Sequence, residues 1–327
     1  MICEELANSM EEAYRISREN LGSDIWFYTP SFVYYKSRYV NRSPWAFPSI
    51  SVTGSNCALN CKHCGGKILR TMIPAKTPDR LLKVCGEIKR RGGVGCLISG
   101  GCTVDGRVPL GRFIDAIAEV KRSLNLIVVV HTGLIDYDSA KMLREAGVDA
   151  ALIDIIGSDE TIREVYNLNA TVDDYERSLE ALNRSGIPTV PHILVGLHYG
   201  RLKGEFKALR MIAKHSPSAL IIIVLFPIRG TLMEDVKPPP PSDVVRVLVE
   251  ARSMMPGVPL ALGCARPKGD YRALMDVLAV RAGVNGIAFP AEEAIMEAEK
   301  LGLRIKFSPL CCSQIIYDLA GSREGWS

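Results

Sequence analysis

Eight short apolar runs, rich in β-branched residues and separated by amphipathic stretches, set the strongest limit on what this chain can fold into. They read SISVTG (49–54), VGCLISGG (94–101), LIVVVHTG (126–133), DAALIDIIG (149–157), TVPHILVGL (189–197), SALIIIVLF (218–226), VPLALGCAR (258–266) and GVNGIAFP (283–290). Runs of this length, bounded by Gly and Pro, read as strands buried on both faces. Between them, apolar residues recur at helical spacing, as at Leu81, Leu82, Val84, Cys85 and Ile88. The boundaries of the helical stretches are marked as well. Thr77-Pro78 supplies an N-cap followed by proline at the first helical position, and MLREAGVDA and ALNRSGIPT place glycine at helix ends. Strands alternating with helices predict a parallel sheet. Eight of them over about 240 residues match a (β/α)8 TIM-type barrel, or a partial barrel with an open edge.

The flanks divide the chain into an N-terminal helical and loop extension (1–48), the barrel (49–290) and a C-terminal extension (291–327) expected to close the barrel mouth. The opening MICEELANSMEEAYRISREN is charged and reads as an amphipathic helix, not a signal peptide. An aromatic stretch from Phe27 reads as loop. Formal charge is only +4, with no basic run, so nucleic acid is not expected as a partner. No stretch approaches the length of uncharged apolar residues a membrane span needs. A cytoplasmic protein is expected.

Ten cysteines then demand an account. Without an export signal, reduced thiols and metal ligation are the better expectation. Cys57, Cys61 and Cys64 fall just after the first of these strands, at the C-terminal rim where parallel barrels build their sites. Structural zinc wants four closed ligands, and no partner C-x2-C pair exists. Three thiolates in a C-x3-C-x2-C loop suit a cubane iron–sulfur cluster with one iron left open.

This loop, following the first of the eight strands, resembles the radical S-adenosylmethionine (SAM) superfamily, over about residues 49 to 290. The resemblance implies a 4Fe–4S cluster on Cys57, Cys61 and Cys64 that binds S-adenosylmethionine and yields a 5′-deoxyadenosyl radical, with no separate catalytic side chain. It further implies cofactor contacts at His63, at the glycine pair Gly100 and Gly101, at Asp154, and at Gly196 within VGL. The segment VLFPIRGTLMED and the order of elements after it resemble biotin synthase, where a strand-seven arginine helps hold a second cluster. Arg266 is the matching residue and a candidate for substrate binding. Cys102, Cys264, Cys311 and Cys312 are candidate ligands of an auxiliary 4Fe–4S cluster, with Ser313 a further candidate. Cys85 and Cys96 read as buried small hydrophobes, Cys3 is left open, and no role is assigned to His131 or His192.

The best family resemblance is to archaeal-type two-component lipoyl synthases. It implies sulfur insertion into an octanoyl chain on a carrier protein, a paralogous second synthase component, and an electron donor such as ferredoxin. A radical methyltransferase or a ring-assembly enzyme on a small metabolite is the alternative.

Overall fold

The computed structural model describes residues 2–31, 35, 38, 39 and 43–319. A leading helix, α1 (Glu4–Leu21), feeds β1 (Asp24–Tyr28). The barrel strands follow as β2 (Ser49–Ser51), β3 (Ile73–Pro74), β4 (Gly95–Ser99), β5 (Ile127–His131), β6 (Ala150–Asp154), β7 (Thr189–Val195), β8 (Leu220–Val224), β9 (Leu260–Leu262) and β10 (Gly286–Ala288), and β11 (Arg304–Ser308) comes last. All pairings are parallel, in the order β11-β1-β10-β9-β8-β7-β6-β5-β4-β2-β3. The result is an open, curled sheet with helices outside, a partial barrel as the alternation predicted.

Each of the eight expected strands is present. The seam differs from that of a closed barrel. β10 pairs with β1, not with β2, and β11 lies beyond β1 at one edge. Thus both flanks contribute strands to the same sheet. The aromatic loop expected from Phe27 lies partly outside the described residues, and Phe27 and Tyr28 themselves finish β1.

The helices between the strands begin and end as their chemistry dictates. In α2 (Pro78–Arg90), Thr77 Oγ1 accepts from Arg80 N at 3.2 Å behind a first-position proline. α3 (Tyr137–Glu145) precedes Gly147 at φ 81°, and a later helix over residues 172–185 closes on Gly186 at φ 71°.

Alternation along the strands makes two cores. Outward residues such as Ile98, Val128, Val130, Ile153 and Ile222 pack beneath the helices. Inward residues, among them Val129, Leu152, Val190, Ile221 and Ala261, form a second buried cluster with Leu310, Cys311, Cys312 and Ile315. The segment after β11 therefore runs down inside the barrel, where the sequence suggested a cover over its mouth. Tyr317 Oη donates to Asp149 O, at the N-terminal end of β6, at 2.8 Å, and Tyr28 Oη to Asp318 at 2.7 Å. The barrel floor is thus built from the chain's own later residues.

Candidate radical SAM site

Between β2 and β3 the chain coils back on itself, helped by positive φ at Asn60 (45°), Gly65 (50°) and Gly66 (67°). Asparagine and glycine tolerate that region. The coil brings Cys64 N and Gly65 N onto Cys61 O at 3.2 and 2.7 Å. Lys62 N is tied to Val165 O and Ala58 N to Cys102 O, both at 2.8 Å. Cys61 and Cys64 are buried while Cys57 is half-buried.

In the Cys61–Cys64 pair, Cys64 is the thiolate end. Donation from the Cys61 thiol, aided by His63 and the Gly66 N–H, holds it at about 4 against the cost of burial. Cys61 is correspondingly pushed up by Cys64 and by burial. The Cys61, His63 and Cys64 ligand atoms lie within 4.8 Å of one another. His63 Nδ1 is buried without a partner, and its ring lies tilted against Tyr166 with centroids 5.2 Å apart, while the Tyr166 backbone oxygen accepts from Cys61 Sγ at 3.6 Å. A thiolate at Cys64 beside the Cys61 thiol, with Cys57 nearby, is a donor set suited to iron.

Gly100 and Gly101 follow β4 directly. A side chain on Gly101 would sit 2.0 Å from Asn56 O and 2.6 Å from Cys57 Cα. The close approach that requires glycine here is therefore made by the cysteine loop itself. Gly101 N donates to Thr53 Oγ1 at 2.7 Å. A cavity of about 760 Å³ opens beside this pair, lined by Thr53, Cys57, Lys76, Cys102 and Arg112. The sequence reading missed Thr53, Lys76 and Arg112, because cations and hydroxyls on three separate segments carry no local signature.

Asp154, at the inner end of β6, is the centre of a second arrangement. His131 Nε2 lies 3.5 Å from Asp154 Oδ1, Tyr166 Oη is 3.5 Å from Oδ2, and the His131 and His192 rings are 6.0 Å apart. Burial works against the Asp154 charge, but His131, His192 and His63 outweigh it and bring the carboxyl to about 2. His131 is raised, burial being overcome by Asp154 and Cys311. Burial depresses His192 to about 4.

The four candidate auxiliary thiols do not form one group. Cys102 falls with the first loop, its thiol pushed to about 12 by burial and then by Cys57, Asp154 and Cys64. Cys264, Cys311 and Cys312 lie together inside the barrel. Cys311 is lowered to about 7, first by the Cys312 thiol and then by Ser313 and His131 against the cost of burial. The Cys264 side chain is exposed, yet burial pushes its thiol to about 11. That combination belongs to a group lining a deep recess.

Arg266 does not share the recess with Cys264. Gly263 N donates to Ile222 O at 2.7 Å, but Val224 N reaches Ala265 O at 2.8 Å, two residues further than an unbroken parallel ladder would take it. The freed Gly263 O accepts from Arg266 Nη1 at 2.6 Å. Arg266 forms a two-pronged pair with Asp276 at 2.7 Å and also reaches Phe289 O, with both side chains fully buried. A guanidinium so committed holds β9 to the helix that carries Asp276 (Asp270–Arg281), which replaces the substrate contact expected of it. Gly196, at φ 77°, is likewise committed: its N–H donates to the buried Glu205 at 2.8 Å, and a side chain there would strike Pro239.

Residues 51–201 match the family model of the radical SAM superfamily. This stretch is a radical SAM domain. Around it, the chain is distantly related to biotin synthases. It is 23% identical over 271 residues to that of Beijerinckia indica (76% of this chain, 82% of the relative). It is 28% identical over 184 residues to that of Methylorubrum extorquens (55% of this chain), spanning only 54% of that relative. In fold, the radical SAM domain and its flanks resemble methylornithine synthase (TM-score 0.63, 15% identity, 98% of this chain and 93% of the other). They also resemble HydG, a maturase of the FeFe-hydrogenase (TM-score 0.66, 16% identity, 98% and 73%). Among the described residues, no helix is long and apolar enough to cross a membrane.

Proposed function

We propose that the chain is a radical SAM sulfurtransferase that thiolates an octanoyl chain carried on a lysine of a carrier protein. The observation that supports it most is the pairing of one three-thiol loop at the rim with a separate thiol group inside the same barrel. When bound, a 4Fe–4S cluster and S-adenosylmethionine supply an electron and a 5′-deoxyadenosyl radical, and an auxiliary cluster supplies sulfur.

The chain's own residues do the rest. Cys57, Cys61 and Cys64 hold the first iron site, and Thr53 fixes the Gly101 amide beside it. Lys76 and Arg112 give the cavity the positive charge that a cofactor carboxylate needs. Asp154, kept ionised by its histidines, is an acceptor for sugar hydroxyls. Cys264, Cys311 and Cys312 hold the auxiliary site, with Ser313 next to them, while Cys102 is reassigned to the first loop. The apolar floor would keep water away from a substrate carbon held above it beside the auxiliary site.

Partners in this reading are an octanoylated carrier, a paralogous second component for the other carbon, and a one-electron donor. The test is anaerobic incubation of the iron-loaded chain with an octanoyl-lysyl peptide, reductant and S-adenosylmethionine, followed by mass spectrometry. A peptide gaining one sulfur is expected. Cofactor cleavage with no thiolated peptide under any loading condition overturns the sulfur-insertion reading in favour of methyl transfer or ring assembly.

A further inference from the structure

The loop holding Cys61 and Cys64 has a second face. Beyond Cys64 it continues as a short 3-10 turn, Lys67–Thr71, with Ile68 and Arg70 exposed to solvent. The loop after β8 lies against this turn: a side chain on Gly230 would come 2.4 Å from Lys67 Nζ, and one on Gly65 would touch Thr231 at 3.9 Å. Together the two loops present large apolar side chains to water, Leu232 at 78% and Ile68 at 50% exposure.

Charge sets this surface apart as well. On the helices, cations are answered by carboxylates, as with Arg15 and Glu12, Arg177 and Asp174, and Arg281 and Glu297. Among the described residues, no carboxylate pairs with Lys67, Arg70 or Arg229, and Lys62 bonds the Tyr199 hydroxyl at 2.9 Å. Segments 62–71 and 228–237 carry five cations against two carboxylates, Glu234 and Asp235. Glu234 is engaged by the Gly230 N–H at 2.5 Å. Two exposed apolar anchors ringed by uncommitted cations make a small surface complementary to an acidic protein.

We infer that this surface docks an acidic one-electron carrier protein, which delivers the electron the first iron site needs. The inference rests on the radical reading of that site. A protein seated on Lys67, Ile68 and Leu232 faces the loop that carries Cys61 and Cys64, whereas the inner-face residues His131, Asp154 and Cys264 belong to other strands. One electron leaves the donor's reduced centre and one arrives at the iron held by Cys57, Cys61 and Cys64; no bond or proton moves. Redox encounters of this kind are small, brief and steered by charge, so the surface needs no large buried area.

The probe is a plant-type 2Fe–2S ferredoxin, with dithionite as a small reductant that needs no docking. Two readouts apply: binding of oxidised ferredoxin to the chain, and the rate at which reduced ferredoxin produces the reduced-cluster EPR signal. The triple variant Lys67→Glu, Arg70→Glu, Arg229→Glu should lower the ferredoxin rate about tenfold at low salt and remove its salt dependence. Leu232→Ser with Ile68→Ser should weaken binding severalfold. Reduction by dithionite should be unchanged in both. Equal ferredoxin rates in wild type and triple variant, or no binding of oxidised ferredoxin by the wild type at low salt, overturns the proposal. A parallel loss with dithionite also overturns it, because the residues then support the iron site itself. Binding of oxidised ferredoxin involves no radical step, so a failure of the radical reading appears separately, as absent cofactor cleavage.

Discussion

The two thiol groups of this molecule are made in opposite ways. Cys57, Cys61 and Cys64 occupy eight consecutive residues, and their arrangement follows from local turns at Asn60, Gly65 and Gly66. Cys264, Cys311 and Cys312 come together only because β9 bulges after Leu262 and the segment beyond β11 enters the barrel. One group is a property of a loop, the other of a finished fold. A local group can be read from spacing and tolerates changes elsewhere. An assembled one depends on contacts that no single segment records.

The largest effect expected from this contrast is at the loop. Replacing Cys57, Cys61 or Cys64 by alanine should reduce 5′-deoxyadenosine formation to background, measured by chromatography. Full cleavage in all three variants would remove the loop's claim to the chemistry. Next comes the assembled group. Cys264→Ala with Cys311→Ala should drop iron from about eight to about four per reconstituted chain and abolish thiolated product while cofactor cleavage persists. Iron that stays near eight would mean the two groups are not separate sites.

The support of the assembled group can be tested through stability. Asp276→Asn leaves Arg266 buried without its carboxylate and should cost about 3–5 kcal/mol in chemical denaturation. The equivalent change at the exposed Arg70, to alanine, should cost almost nothing. A smaller effect lies at His192, whose ring is 6.0 Å from that of His131. Its folded pKa of about 4 is below the ordinary histidine value, so the unfolded chain binds the proton first. Stability should therefore fall as pH drops from about 6.5 towards 4, by at most about 3 kcal/mol, and His192→Gln should flatten that slope. His131 is shifted the other way, so its contribution is present below the ordinary histidine range and fades as pH rises through its raised value. Thermal unfolding across that range, with a slope identical in wild type and His192→Gln, would dismiss the assignment. The smallest change expected is Thr53→Val, which leaves the Gly101 N–H unpaired at a cost of about 1 kcal/mol and should raise the concentration of cofactor needed for cleavage.

What was legible in the sequence follows the same division. Eight strands were readable because each is an apolar run buried on both faces. β11 was not, since Arg304 and Lys306 alternate with apolar residues on an edge strand. β3 is two residues long and includes a proline, and β1 follows its helix too closely to stand out as a separate run. The three-cysteine loop was legible from spacing. The burial of Arg266 against Asp276 was not legible, because two residues loop out of the ladder after Leu262 and no local pattern marks that break. The position of Cys102 beside the first loop was hidden for a related reason: its distance in sequence from Cys57 conceals a direct backbone bond, Ala58 N to Cys102 O. The Asp154, His131 and His192 arrangement required strand register, which the sequence does not print.

The threading of residues 310–319 through the barrel has a consequence for how the protein is born. Chains emerge and begin folding from the N-terminal end. This segment leaves the ribosome after the eleven described strands, so the sheet can curl and its helices can dock while the interior is still unfilled. During that interval the inner wall, with His131, Asp154 and Cys264, is open to solvent. Arrival of Cys311, Cys312 and Ile315 then ends the interval by sealing the floor. The order of synthesis thus leaves the inner face of the sheet unfilled until residues 310–319 arrive, whereas the rim loop is complete by residue 71.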